Sequence, residues 1–316
     1  MTPSAAPESD IDIRLKQLSY SSLLTLHACP RRYQLYKLGS NISIQDDASS
    51  LTFAYGHTVG LGIQLAFEGK SEEEILWELF KSWEVELYAD SDKRHESFWL
   101  AAHAVQKFIG MRNAGFLAEW ELVYYEGKPA CELSFAITFP GGFKYRGFVD
   151  AVLRNKYTGA IAVLEVKTTS LSDIDEAVYK NSAQAIGYSI VLDAIFPELS
   201  SYEVLYLPYK KKIKEYELRP YTKSYLQRAL WIQELLLDIE SIKMYDAAGV
   251  WPMRGESCYS FYRQCEYFGT CTLSTNYLTK PVTPETIEKI EAEQFTVNLT
   301  LMDLLDSQLA KDSGGI

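Results

Sequence analysis

No stretch of this chain approaches the roughly 20 consecutive apolar residues that cross a bilayer. Its first residues, MTPSAAPESDIDIR, also lack the basic start and apolar run of a secretory leader. The expectation is a cytoplasmic protein that enters no membrane, with residues 1–17 a disordered arm. A surplus of positive charge is missing as well, the formal net charge being −11. That excludes coating nucleic acid through the overall field, but not meeting a phosphate backbone along one local basic groove. Cysteine is scarce and odd in number, five in all, which does not suit a complete disulfide framework. Internal repeats and low-complexity segments are absent too.

What the chain does have is an ordinary globular composition, 47% hydrophobic and 23% charged. Its 22 Tyr, 14 Phe and 6 Trp can supply much of a core. Apolar periodicity predicts helices over 18–38, 52–67, 71–88 and 94–113, the third headed by Ser71 and an acidic first turn. The pattern then changes to short aromatic and aliphatic runs at 120–125, 130–139, 145–154 and 161–167, parted by turn signals and read as consecutive antiparallel strands. A helix over 182–194, strands over 202–208 and 213–219, and a long helix over 221–245 follow. The order predicts an α/β fold with a mixed central sheet flanked by helices, an N-terminal helical part including an insert at about 52–115, and a C-terminal cysteine-rich region at 251–272. Residues 274–316 read as a peripheral tail with a helix near 299–309.

The most informative passage is YRGFVDAVLRNKYTGAIAVLEVKTTS, residues 145–170. If its four-residue turn is symmetric, residues whose numbers sum to 315 oppose each other, and Asp150 faces Glu165 at a Cβ separation of about 4.5–5.5 Å. Phe148, Val149, Val152, Ile161, Val163 and Leu164 suggest burial on both faces. A buried carboxylate pair needs a proton, a cationic partner or a metal. Hard divalent cations prefer oxygen ligands, so the pair suits Mg2+ or Mn2+. Lys167 emerges two residues after Glu165 on the same strand face, where an ammonium can orient a metal-bound water and stabilise a developing phosphorane. A structural ion pair beside a sheet is the plainer alternative.

Together with three further motifs, this hairpin resembles the RecB/AddB-type branch of the PD-(D/E)XK nuclease superfamily, which includes the CRISPR-associated spacer-acquisition nucleases and stand-alone phage versions. The resemblance spans residues 18–273. Its first motif is LSYSSLLTLHACPRRYQLYKL and its second FAYGHTVGLGIQ; the hairpin with Glu165-Val166-Lys167 is the third. Gln184-Ala185-Ile186-Gly187-Tyr188 matches the Q-x-x-x-Y helix, whose i and i+4 side chains share a face. The resemblance implies a restriction-endonuclease-like core and Mg2+- or Mn2+-dependent DNA hydrolysis by an exonuclease of recombination, repair or phage DNA processing. Asp150, Glu165 and the Val166 carbonyl would hold the metal, with Lys167 catalytic and Gln184 and Tyr188 positioning DNA. Where the family places a metal-binding histidine this chain has Gly60; His57 and Gln64, one turn either side, are the alternatives. A catalytically inactive DNA-binding or structural subunit of a helicase complex is the competing reading, and a spacer-acquisition role a third. A helicase or recombination protein is the partner the family suggests.

Cys258, Cys265 and Cys271 read C-x6-C-x5-C. Such crowding in an intracellular chain points to a metal or cluster before a disulfide. With Cys29 they are similar to the one-plus-three set that holds a structural [4Fe–4S] cluster in iron–sulfur nucleases, although Tyr262 stands where the usual closer spacing would put the first of the three. Zn2+ is the competing occupant. Cys131 reads as a core residue. Lys210, Lys211, Lys212 and Lys214 could meet phosphates and Tyr209, Tyr216 and Tyr221 could stack on bases, though a charged hairpin turn accounts for the lysines equally well.

Overall fold

The structure is a computed structural model and describes residues 11–39, 51–83, 96–171, 176–196, 202–260, 263–273 and 275–312. The expected N-terminal arm, the far end of the helix expected over 71–88, and Tyr262 lie largely or wholly outside them. The chain divides into two compact units, one made of residues 1–45, 134–147 and 229–306, the other of 46–133, 148–228 and 307–316.

In the first unit, the helix expected over 18–38 is two helices, Tyr20–Ala28 and Pro30–Leu38. The break follows from local chemistry. Cys29 is extended at φ −161° and Pro30 opens the second helix, where its missing N–H costs nothing. Ser19 and Ser22 form a reciprocal capping box at the first N-terminus. Tyr33 is fully buried; its hydroxyl donates to the Leu15 carbonyl at 2.8 Å and its ring lies 6.0 Å from that of Trp251. Val297–Thr300 pairs in parallel with Phe135–Thr138, a piece of sheet the periodicity had not flagged.

The second unit is built on strand Ile161–Thr169. It pairs antiparallel with Ala151–Arg154 of strand Phe143–Asn155, and in parallel with strand Tyr202–Lys210, so the sheet is mixed as expected. Helix Ala183–Ile195 lies in the connection between the two parallel strands, which cannot be joined by a tight turn. Trp120–Leu122 pairs with Leu153–Asn155 rather than with the next strand in sequence. Helices Leu51–Phe67, Glu72–Ser82 and Phe98–Asn113 pack their apolar faces, including Val59, Ile75, Leu79, Val105 and Phe108, into one core with the sheet residues Leu153, Ala162 and Leu205. Gly62 permits the close approach of the first and third of these helices: a Cβ there would stand 2.4 Å from Val105.

Two expected boundaries shift. The strand read over 213–219 is split into Glu215–Tyr216 and Arg219–Lys223, and the helix starts at Tyr225, so Tyr221 belongs to a strand. The Arg219–Lys223 strand is at the sheet's end, where Pro220 costs no ladder bond. Lys223 breaks the helix reading by turning inward, its ammonium donating to the carbonyls of Tyr179 (2.9 Å) and Lys180 (2.6 Å).

Candidate active site

The hairpin turn is held by its own side chain. Asn155 Oδ1 accepts from the N–H groups of Tyr157 and Thr158 at 3.0 and 3.1 Å, and Gly159 takes φ +73°. The pairs Arg154–Ile161, Leu153–Ala162, Val152–Val163 and Ala151–Leu164 then follow, each summing to 315 as the symmetric turn requires. The ladder stops one step before Asp150 and Glu165. In place of the next backbone bond, Asp150 Oδ2 accepts from the Val166 N–H at 3.2 Å, so the aspartate is held at the start of Glu165-Val166-Lys167. Burial of the hairpin on both faces holds for its aliphatic residues but not for Phe148, which is exposed.

Glu165 is 1% exposed. Lys167 makes an ion pair with its Oε1, and among the described residues no donor reaches Oε2. The Lys167 ammonium, itself partly exposed, also points to Gln184 Oε1 at 3.4 Å, and Gln184 Nε2 donates to the Tyr188 hydroxyl at 2.6 Å. The helix thus brings Gln184 to the lysine and Tyr188 to Gln184. Glu165, Lys167 and Gln184 border a cavity of about 210 Å3, which Asp150, Val166, His57, Gly60 and Gln64 also line. His57 stacks on Phe53 at 6.3 Å, and Gln64 Nε2 donates to Glu68 at 3.1 Å. A Cβ at Gly60 would meet nothing within 4 Å, so the cavity is open where a longer side chain would stand.

One acidic residue of the cavity escaped the sequence reading. Glu132 comes from strand Cys131–Phe139 and has φ +46°, in the left-handed region. The only signal for it was a charge at the head of an apolar strand, which solvent exposure explains as readily.

The electrostatics are those of crowded acids. Burial, and then the charge of Glu165, hold the Asp150 carboxyl well above the usual carboxylate range, against the pull of Lys167 and the Val166 N–H. Burial also raises Glu132, with Glu165 adding to it and His57 opposing. Among the described residues, no three His, Cys, Asp or Glu side chains stand close enough to hold a metal ion as they are. The donors line the cavity rather than converge on a point. Their chemistry, carboxylate oxygens with one buried oxygen lacking a donor, is nonetheless that of a hard-cation site.

A profile of the PD-(D/E)XK nuclease superfamily matches residues 17–272. The chain belongs to the PD-(D/E)XK nuclease superfamily. The family acts on nucleic acids as hydrolases, and the mixed sheet with flanking helices is its architecture. Among solved structures, a candidate exonuclease from Eubacterium rectale is similar at 13% identity, TM-score 0.44, covering 92% of this chain and 99% of its own. The protein SSO0001 is similar at 15% identity and TM-score 0.27, covering 70% and 87%. No curated protein matches. Among the described residues of this nuclease, no helix is long and apolar enough to cross a membrane.

In the first unit of the nuclease, Cys29, Cys258, Cys265 and Cys271 border one narrow cleft. All are unpaired thiols, partly buried. The strand pair Tyr259–Ser260 and Arg263–Gln264 closes with the Cys265 N–H on the Cys258 carbonyl at 2.8 Å, which brings those two positions together. Arg31 donates to the carbonyls of Cys271 (3.0 Å) and Leu273 (2.7 Å), tying the helix after Cys29 to the third cysteine. Cys131 stands apart in the second unit, packed against the core, where burial pushes its thiol up to about 12.

Two of the four lysines of the basic stretch are engaged in ion pairs, while Lys212 and Lys214 are exposed. Lys210 pairs with Glu217 at 2.6 Å, and Lys211 is buried in an ion pair with Glu96. Tyr209 is buried, and the partly buried Tyr216 hydroxyl donates to the Ala104 carbonyl at 3.0 Å, so neither ring is free to stack on bases. Tyr221 packs against Tyr206. Strand alternation turned these rings inward, which the run of lysines had obscured.

Proposed function

We propose that this nuclease hydrolyses DNA phosphodiester bonds with a Mg2+ or Mn2+ ion held by Asp150, Glu165 and the Val166 carbonyl, with His57 or Gln64 as a further donor. The reading extends to an exonuclease working on DNA ends in recombination, repair or phage DNA processing, in the cytoplasm, beside a helicase or recombination protein. The observation that carries it is the Glu165 carboxylate. It is buried beside Asp150 with one oxygen lacking a donor among the described residues, a costly arrangement unless a cation completes it.

A bound divalent ion supplies Lewis-acid polarisation of the phosphate and a lowered pKa for attacking water. The chain's own residues do the rest. Asp150, fixed by the Val166 N–H, and Glu165 present oxygens to the cavity. The Lys167 ammonium stands at the solvent side of Glu165, where it orients water and offsets charge building on the phosphate. Gln184, bridged between Lys167 and Tyr188, limits where that ammonium can point.

The cysteine cleft supports a second, structural element: a [4Fe–4S] cluster on Cys29, Cys258, Cys265 and Cys271, with Zn2+ as the alternative occupant. Closure of so long a loop would stabilise the first unit. The nuclease domain on this reading runs over residues 18–273. Gly60, which removes a metal donor, favours the competing idea of an inactive structural subunit, and one experiment separates the two. Purified protein is assayed on end-labelled duplex and single-stranded DNA with Mg2+, with Mn2+ and with chelator, beside Lys167→Ala. Cleavage that needs the ion and falls at least about 100-fold in the variant is expected; a Lys167→Ala protein as fast as wild type removes the assignment.

A further inference from the structure

We propose that Glu132 is a third acidic ligand of the divalent-cation centre, standing in for the donor that Gly60 cannot provide. The inference rests on the metal-dependent reading of the cavity and adds a residue from a different strand to it. Glu132 lines the same cavity as Asp150 and Glu165, from strand Cys131–Phe139, whereas those two come from the hairpin. An acidic side chain brought there only for solubility would gain nothing by adding charge beside two carboxylates. What gives the third charge a use is the buried Glu165, which lines the same cavity and whose Oε2 has no hydrogen-bond donor among the described residues. Two carboxylates neutralise a divalent ion formally, but hard cations take six or more oxygens and hold best where protein ligands replace several waters.

The backbone argues in the same direction. Glu132 holds φ +46°, a conformation that glycine adopts freely and a long side chain does not. Such residues persist where something outweighs the local cost, and they gather at ligand sites. The helix opposite leaves room. At Gly60 an added Cβ would touch nothing within 4 Å, so at that position the helix leaves space and supplies no side chain to the cavity. The carboxylates border the cavity without meeting at one point, and Glu132 is the least buried of the three, with a side chain one carbon longer than that of Asp150. It is the group best able to swing in as an ion enters.

The test is Mn2+ binding to the full-length protein, read from loss of the free-ion electron paramagnetic resonance signal, which needs no activity. Wild type, Glu165→Gln, Glu132→Gln and Glu132→Gly are compared. Glu132→Gln is expected to weaken Mn2+ binding about 10- to 100-fold, the range seen when supporting groups of a metal site are lost. Glu132→Gly is expected to weaken it equally while melting at the same or a higher temperature, because glycine fits the left-handed backbone. That pairing separates a ligand from a folding determinant. Adding Gly60→His to Glu132→Gln should recover part of the lost affinity, supporting a shared vacancy. If wild type binds and Glu165→Gln does not, but both Glu132 variants stay within about twofold of wild type, Glu132 is no ligand although the centre stands. If wild type itself fails to bind, the metal reading and this inference fall together.

Discussion

Replacing Asp150 with Asn should make the metal-free nuclease more stable, and the metal-loaded one less so. Opposed carboxylates on a hairpin lie with Cβ atoms about 4.5–5.5 Å apart. At an effective dielectric of about 20, two such charges about 5 Å apart repel by roughly 3 kcal/mol. Lys167, paired with Glu165, and the Val166 N–H on Asp150 offset part of this, leaving a net penalty of about 1–2 kcal/mol. An Asn oxygen still accepts from Val166, so the variant loses the charge and keeps the hydrogen bond. At about 2–3 °C per kcal/mol for a chain of this size, the melting midpoint in chelator should rise roughly 2–6 °C.

The pH dependence carries the same sign. Asp150 keeps its proton in the folded state to a higher pH than the unfolded value of about 3.9. Its contribution is therefore fully present below about pH 4 and is lost as pH rises through the raised folded pKa, since over that window the folded state binds more protons. The gap between Asp150→Asn and wild type should open with rising pH and then level off. Saturating Mn2+ should reverse the ranking, because an ion at 100 times its dissociation constant stabilises wild type by about 2.7 kcal/mol and the crippled site by much less. Differential scanning fluorimetry from pH 4 to 8, with chelator and with MnCl2, reads both effects. An Asp150→Asn protein that melts below wild type in chelator, or gains as much from Mn2+, would refute the argument.

Gln184→Leu should lower kcat about 10- to 100-fold with little change in KM for DNA, because it frees the Lys167 ammonium without removing it; an unchanged kcat would exclude the positioning role. Glu96→Ala should cost about 3–5 kcal/mol in urea denaturation by stranding the buried Lys211 ammonium, and the double change Glu96→Leu with Lys211→Met should recover most of it. A double variant as unstable as the single one would show that the pair matters through something other than its charge.

The acidic hairpin was legible because its determinants are local. Strand period, a four-residue turn closed by Asn155 and Gly159, and the two-residue offset from Glu165 to Lys167 leave one register, which brings Asp150 beside Glu165-Val166-Lys167. Gln184 and Tyr188 were equally local, four residues apart on one helix face. The partition of the cysteines, one early and three late around one cleft, was readable only through family likeness, since nothing near Cys29 announces partners more than 220 residues away. Tertiary structure alone decided the fate of the basic stretch. Lys211 looked like a phosphate contact until Glu96, from a distant segment, proved to be its partner in the core.

Glu132 is the sharpest case of the difference. Periodicity places it on a strand but cannot say that the strand delivers it to a cavity lined by the hairpin and a helix some 70 residues earlier, nor that its backbone turns left-handed there. Sequence by itself determined which residues share a face, because helix and strand geometry repeat every few residues. Which faces share a cavity depends on contacts between segments far apart in the chain, and those are set by the packing of the whole core.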